Sequence, residues 1–161
     1  MSVEESRSRA LSLWELGTEA LLTGDVAGAI DLFTESLKAA PTAEGYTFRG
    51  WAYSFLGHFE DAIGECRKAI ATDPSFGNPY NDIGSYLVHL GRPDEAVDWF
   101  EKAKRAEHYE PRHFPFLNLG RVYFDRGQMA DATREFEEAL RLNPGDPLAR
   151  AFLDRLRYTV N

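Results

Sequence analysis

Four pairs of glycines, seven residues apart within each pair, mark the chain at Gly17 and Gly24, Gly50 and Gly57, Gly84 and Gly91, and Gly120 and Gly127. The pairs recur after 33, 34 and 36 residues, which makes the chain a repeat array. Five residues past each second glycine stands Ala29, Ala62, Ala96 or Ala132, and four further on Phe33, Cys66, Phe100 or Phe136. A small residue follows at Ser36, Ala69, Ala103 and Ala139. Proline closes three units at Pro41, Pro74 and Pro144, with His108 in its place in the third.

Spacing within each unit is helical. Leu13, Leu16, Gly17 and Ala20 recur at i, i+3, i+4 and i+7, as do Tyr80, Ile83, Gly84 and Leu87. After the second glycine, Ala29, Phe33, Ser36 and Leu37 form a second apolar stripe, matched by Ala132, Phe136, Ala139 and Leu140. Each unit therefore reads as two helices around a glycine turn. Gly17 and Ala29 lack bulk, so the two backbones can approach closely while Phe33 fills the adjoining gap.

Leu16-Gly17, Tyr53, Ala62, Phe100, Ala139 and Pro144 stand where a known pattern places them, and the chain resembles the tetratricopeptide repeat family. The resemblance implies an all-α fold, a right-handed α-α superhelix of helix-turn-helix hairpins. It places units at 10–42, 43–76, 77–112 and 113–146 within a single domain over 1–161. Arg49 stands where leucine is usual, Cys66 where an aromatic is usual, and the third unit carries two extra residues. Asn78-Pro79 and Asp146-Pro147 each set a capping side chain before a proline suited to the first helical turn. Ser2 and Glu5 have capping-box spacing for a first helix starting at Val3. Leu148, Ala149, Phe152, Leu153 and Leu156 form one stripe opposite Arg150, Asp154 and Arg157, which predicts a capping helix over 147–158.

Charge narrows the partners. Twenty-six acidic against 18 basic residues give a formal charge of −8, which repels phosphate backbones and anionic headgroups, so neither nucleic acid nor membrane is expected as a partner. Cys66 is the one cysteine and cannot form an internal disulfide. The first ten residues mix Glu4 and Glu5 with Arg7 and Arg9 where a secretory leader would be apolar, so a cytoplasmic location is expected.

In the family, a second sector of each first helix lines a concave groove. At ~100° per residue, unit one puts Leu11, Trp14, Thr18, Leu21 and Leu22 there, and unit two Glu44, Thr47, Trp51, Ser54 and Phe55. Unit three adds Asn78, Asn81, Ser85, Val88 and His89. Unit four adds Phe114, Leu117, Arg121, Phe124 and Asp125. The expected partner-binding residues are Trp14, Thr18, Leu22, Thr47, Trp51, Phe55, Asn78, Asn81, Ser85, His89, Leu117 and Arg121. Trp14, Leu22, Trp51 and Phe55 would be apolar anchors, Asn78, Asn81 and Ser85 would pair with a guest backbone, and Arg121 would orient an acidic or carbonyl group. The function this implies is a non-catalytic scaffold or adaptor holding an extended or helical polypeptide segment. The alternative is a homo-oligomer whose apolar groove mates with itself or with the N-terminal extension.

Chaperone-tail binding is disfavoured. Where the family's two-carboxylate clamp would place basic and amide groups, this chain has Trp14, Thr18, Phe48, Asn78 and Asp82, or one unit later Thr47, Trp51, Asp82, Phe114 and Asn118. Glu107, His108, Glu110 and His113 crowd the longer loop, but their spacing matches no zinc pattern, and Pro111 and Pro115 account for the segment as a stiff connector. Cys66 on a core position reads as an inert thiol. No nucleophile motif or phosphate-cradling loop is present, so neither enzyme activity, nor cofactor, nor metal is expected.

Overall fold

The structure is a computed structural model whose described residues are 1–159. They form nine α-helices: α1 (Val3–Leu22), α2 (Val26–Ala39), α3 (Ala43–Phe55), α4 (Phe59–Thr72), α5 (Asn78–His89), α6 (Pro93–Arg105), α7 (Phe114–Asp125), α8 (Met129–Leu142) and α9 (Pro147–Thr159). The two glycines of each pair do different work. Gly24, Gly57, Gly91 and Gly127 have φ of 91, 73, 73 and 75°, a left-handed conformation that reverses the chain between the helices of a hairpin. The first glycine is a point of close approach. A Cβ on Gly17, Gly84 or Gly120 would lie 2.7, 2.5 or 2.6 Å from the ring of Phe33, Phe100 or Phe136.

Each hairpin closes over its alanine and its aromatic, or Cys66 in the second, all but sealed from solvent, and stacks on the next: α2 on α3, α4 on α5, α6 on α7, α8 on α9. Successive first helices also approach one another, α1 with α3, α3 with α5 and α5 with α7. No comparable approach joins successive second helices among the described residues, so the first helices line the inner side of an all-α hairpin solenoid.

The capping box at Ser2 and Glu5 is formed, with the Glu5 amide 3.1 Å from the Ser2 hydroxyl and the Ser2 amide 2.6 Å from the Glu5 carboxylate. Asp146 caps α9, its carboxylate accepting from the Ala149 amide at 2.8 Å. Asn78 is a correction: Gly77 is the residue before α5 and Asn78 lies inside the helix, making no side-chain cap bond. Here the chain is held from outside. The Gly77 amide donates to the His108 carbonyl at 2.8 Å, and the His108 amide to the Ser75 carbonyl at 3.0 Å. The loop lengthened before unit four thus straps the α4–α5 turn, with Tyr109 buried against Gly77.

Arg49, the departure from the leucine pattern, has a partner. Its Nε donates to Glu65 at 2.8 Å and its guanidinium to the Thr34 hydroxyl at 3.2 Å, in a part-buried bridge between α3, α4 and α2. The equivalent Ile83 and Leu119 are fully buried against the hairpin before them, whereas Leu16 is exposed, no described helix packing on that side of α1. In α9, Ala149 and Leu156 are buried and Phe152 stacks on Phe136 at 4.7 Å, as a cover requires. Leu148, expected in that apolar stripe, is exposed.

Candidate functional site: the inner face of the first helices

Because the four first helices share one register, their inner-side residues fall into rows that run along the stack. One row is Trp14, Thr47, Asn81 and Leu117, all placed on the open groove by the sequence. The structure corrects three of them. Thr47 and Leu117 are 3% exposed and Asn81 6%. The Thr47 hydroxyl is spent on the Ala43 carbonyl at 2.7 Å, Leu117 packs in a core with Phe136 and Ala149, and the Asn81 side-chain Oδ1 accepts from the Asn118 side-chain amide at 3.0 Å. Asn81 and Leu117 are thus covered by their own hairpin and the element after it, Asn118 of α7 over Asn81 and Ala149 of α9 beside Leu117. Trp14 is half-buried, and its indole Nε1 is enclosed without a hydrogen-bond partner.

The open rows lie to either side. Thr18, Trp51 and Ser85 are half-buried and Arg121 exposed, while Leu22, Phe55 and His89 are exposed in the next row. Asn78 is half-buried at the start of α5. Not all of these polar groups are free for a guest. The Thr18 hydroxyl donates to the Trp14 carbonyl at 2.9 Å, and His89 Nδ1 lies 2.8 Å from the Ser85 carbonyl with its ring stacked on Phe59.

The sequence reading named Phe48, Asp82 and Asn118 only as clamp positions without the clamp's basic groups and did not count them in the groove wall. Phe48 joins the tryptophans, since ring centroids run from Trp14 to Phe48 at 4.9 Å, Phe48 to Trp51 at 5.7 Å and Trp51 to Phe55 at 5.5 Å. Asn118, Ser85, His89, Arg121 and Asp125 border a cleft of about 90 Å³ between α5 and α7. A second cleft of about 380 Å³ opens at the other end, between Leu11 and Trp14 of α1 and Thr42 and Glu44. The inner face therefore runs from an aromatic end to a polar end. The row of Phe48, Asp82 and Asn118 was detectable as one register position recurring from Glu15 after 33, 34 and 36 residues, but polar residues at three of its four places hid it.

Asp82 is the unusual group of the polar end. Burial pushes its carboxyl up to about 7, against a downward pull from its hydrogen bond with Asn81; burial also raises the Tyr86 and Tyr109 hydroxyls, with a smaller contribution from the Asp82 charge. The folded state therefore holds this proton after the unfolded chain, with its ordinary carboxyl near ~3.9, has lost it. Stability from this site is complete below about pH 4 and declines as pH rises to about 7. The full linkage is ~1.4 kcal/mol for each tenfold change in proton affinity. Asp82 keeps a solvent-exposed edge, which reduces the expected loss to about 2 kcal/mol. Urea denaturation across this range should show Asp82→Asn gaining on the parent by that amount. Parallel curves would mean the carboxyl ionises normally.

The buried Cys66 thiol is likewise pushed up, mainly by burial, and sits in the central core with Ile83 and Phe100. His113 faces Asp146 at 3.4 Å, and among the described residues no group of three His, Cys, Asp or Glu is close enough to hold a metal ion. No described helix is long and apolar enough to cross a membrane.

Models of the tetratricopeptide repeat match residues 49–111 and 114–146. The chain is 32% identical over 104 residues to the small glutamine-rich tetratricopeptide repeat-containing protein 2 of Saccharomyces cerevisiae, covering 64% of this chain and 30% of that protein. It therefore spans under a third of that relative's length. Among solved structures, pilF of Pseudomonas aeruginosa matches at a TM-score of 0.87 and 26% identity, over 98% of this chain and 70% of that one. The second TPR of Spaghetti (RPAP3), bound to the HSP90 peptide SRMEEVD, matches at 0.61 and 25%, over 66% of this chain and all of that one.

Proposed function

Because the chain belongs to the tetratricopeptide repeat family, whose members generally mediate protein–protein contacts, we propose that it is a non-catalytic adaptor that holds a polypeptide segment on the inner face of its first helices. The aromatic run Trp14, Phe48, Trp51 and Phe55, leading into the Ser85–Asn118–Arg121 cleft, carries this reading. Clustered aromatics beside an arginine are the composition of binding hot spots; Trp14, Phe48 and Trp51 rest on the first core with their outer faces part-exposed, and Phe55 stands exposed. The peptide-bound relative supports the use of a repeat array for such a guest.

In this reading Leu22, Trp51 and Phe55 anchor apolar side chains, Trp14 closes the aromatic end, and Ser85, Asn78 and Arg121 meet guest carbonyls or carboxylates. Thr18 and His89 shape the wall. Thr47, Asn81 and Leu117 act beneath it. No cofactor takes part, and the cytoplasm is the compartment proposed. A homo-oligomer is the second reading, favoured by the exposure of Leu11, Leu16 and Leu22 along α1.

Peptides selected from a displayed library against the purified chain test the adaptor directly. Trp51→Ala should weaken a selected peptide at least about tenfold, or ~1.4 kcal/mol, with helix content and melting unchanged. Unchanged affinity, or a loss of stability on the ~3 to 5 kcal/mol scale of a core tryptophan, would place Trp51 elsewhere than on a binding surface. Sedimentation across a concentration range separates the two readings, a monomer throughout excluding self-association.

A further inference from the structure

The third tryptophan, Trp99, lies outside the inner face. Its register position, eight residues past the second glycine of the hairpin, holds Leu32, Glu65 and Glu135 in the other units. Glu65 and Glu135 are answered there by Arg49, Lys68 and Lys104. The fold thus accepts a carboxylate at this position and does not require an indole.

Two cations stand over the Trp99 ring. Arg67 of α4 stands 5.2 Å and Lys102 of α6 4.3 Å from the indole centroid, and Arg105 is one turn further on. None of the three joins an ion pair among the described residues. Trp99, Tyr80, Ile70, Lys102 and Arg105 border a cleft of about 420 Å³ between α4, α5 and α6, and no carboxylate lines it. A cleft of this size seats one or two bulky side chains. Lys102 and Arg105 lie in the last turn of α6, where cations favour the carbonyl end of any helix. Arg67 sits mid-helix on α4 and has no such reason.

We propose that this cleft docks an acidic peptide segment carrying one aromatic side chain. The anchor ring packs against Trp99, Tyr80 and Ile70, and flanking carboxylates meet Arg67, Lys102 and Arg105. Charge complementarity selects this guest. An isolated cationic cleft on a chain of net charge −8 attracts a short anion locally, whereas the surrounding field repels extended polyphosphates and anionic bilayers. The site shares no residue with the inner face and stands without that assignment.

A fluorescein-labelled peptide Glu-Glu-Phe-Glu-Glu, followed by anisotropy with the purified chain, is the test. Saturable binding is expected, weakening by about tenfold or more between ~0.05 and ~0.5 M salt. The exposed pair Lys102→Glu with Arg105→Glu should weaken it at least about tenfold, as should Trp99→Ala, while Trp51→Ala leaves it unchanged. The charge-reversal variant leaves the core untouched, so its result stands even if Trp99→Ala unfolds. No saturation at ~1 mM peptide, unchanged binding by the charge-reversal variant, or loss through Trp51→Ala would overturn the proposal. So would tighter binding of a single-stranded oligonucleotide or phosphatidylserine vesicles than of the peptide.

Discussion

Truncating Phe100 to alanine is expected to remove ~3–5 kcal/mol of stability, the cost of emptying a sealed aromatic site. The ring is 1% exposed and belongs to the core that Ile63, Cys66, Ile83, Leu87 and Leu119 share across the second, third and fourth hairpins. Repeat arrays are held together by contacts between neighbours, so a hole in an inner hairpin weakens two interfaces at once. Urea denaturation followed by circular dichroism should show a lower midpoint and a transition broadened as the outer hairpins unfold separately. Gly84→Ala forces a methyl group against the same ring and should cost ~1–3 kcal/mol. Adding Phe100→Leu to Gly84→Ala should recover part of that cost. If Phe100→Ala loses under ~1 kcal/mol, the ring does not fill the gap at Gly84.

Replacing Arg49 by leucine, the residue usual at its place in the family, is expected to cost about 3 kcal/mol rather than to stabilise. Removing the guanidinium leaves the Glu65 carboxylate, 6% exposed, with Lys68 at 2.9 Å as its remaining ion-pair partner. A charge buried without adequate pairing costs more than its attraction returned. The double variant Arg49→Leu with Glu65→Leu should come back to within about 1 kcal/mol of the parent, since apolar side chains commonly replace a buried pair without loss. A double-mutant cycle by chemical denaturation measures this. Additive costs for the two changes would show that the bridge is not coupled.

These two residues also show how far the sequence could be read. Phe100 was placed in the core from spacing alone, because a glycine on one helix and a ring on the next must coincide for the backbones to approach. Arg49 registered only as a departure from the pattern. Its partner lies 16 residues on, in the helix across the turn, and nothing in spacing says that a glutamate there is buried. The inner face divides similarly. Ser85 and Arg121 do border one cleft as the helical arc suggested. The same arc assigns Thr47, Asn81 and Leu117 to the open wall, yet neighbouring side chains bury all three. The arc describes an isolated helix, whereas coverage depends on how far its neighbour reaches over it.

Sequence by itself determined the hairpins: the glycine that reverses the chain and the glycine that admits the ring act within some 20 residues, through sterics that no distant contact can change. Tertiary structure decided which row of each first helix meets solvent, gave Asp82 its raised proton affinity, and gathered Arg67, Lys102 and Trp99 from two hairpins beside one cleft. Each of those depends on the distance and angle between stacked units. That geometry is set by the summed packing of every hairpin, which no single stretch of the chain encodes.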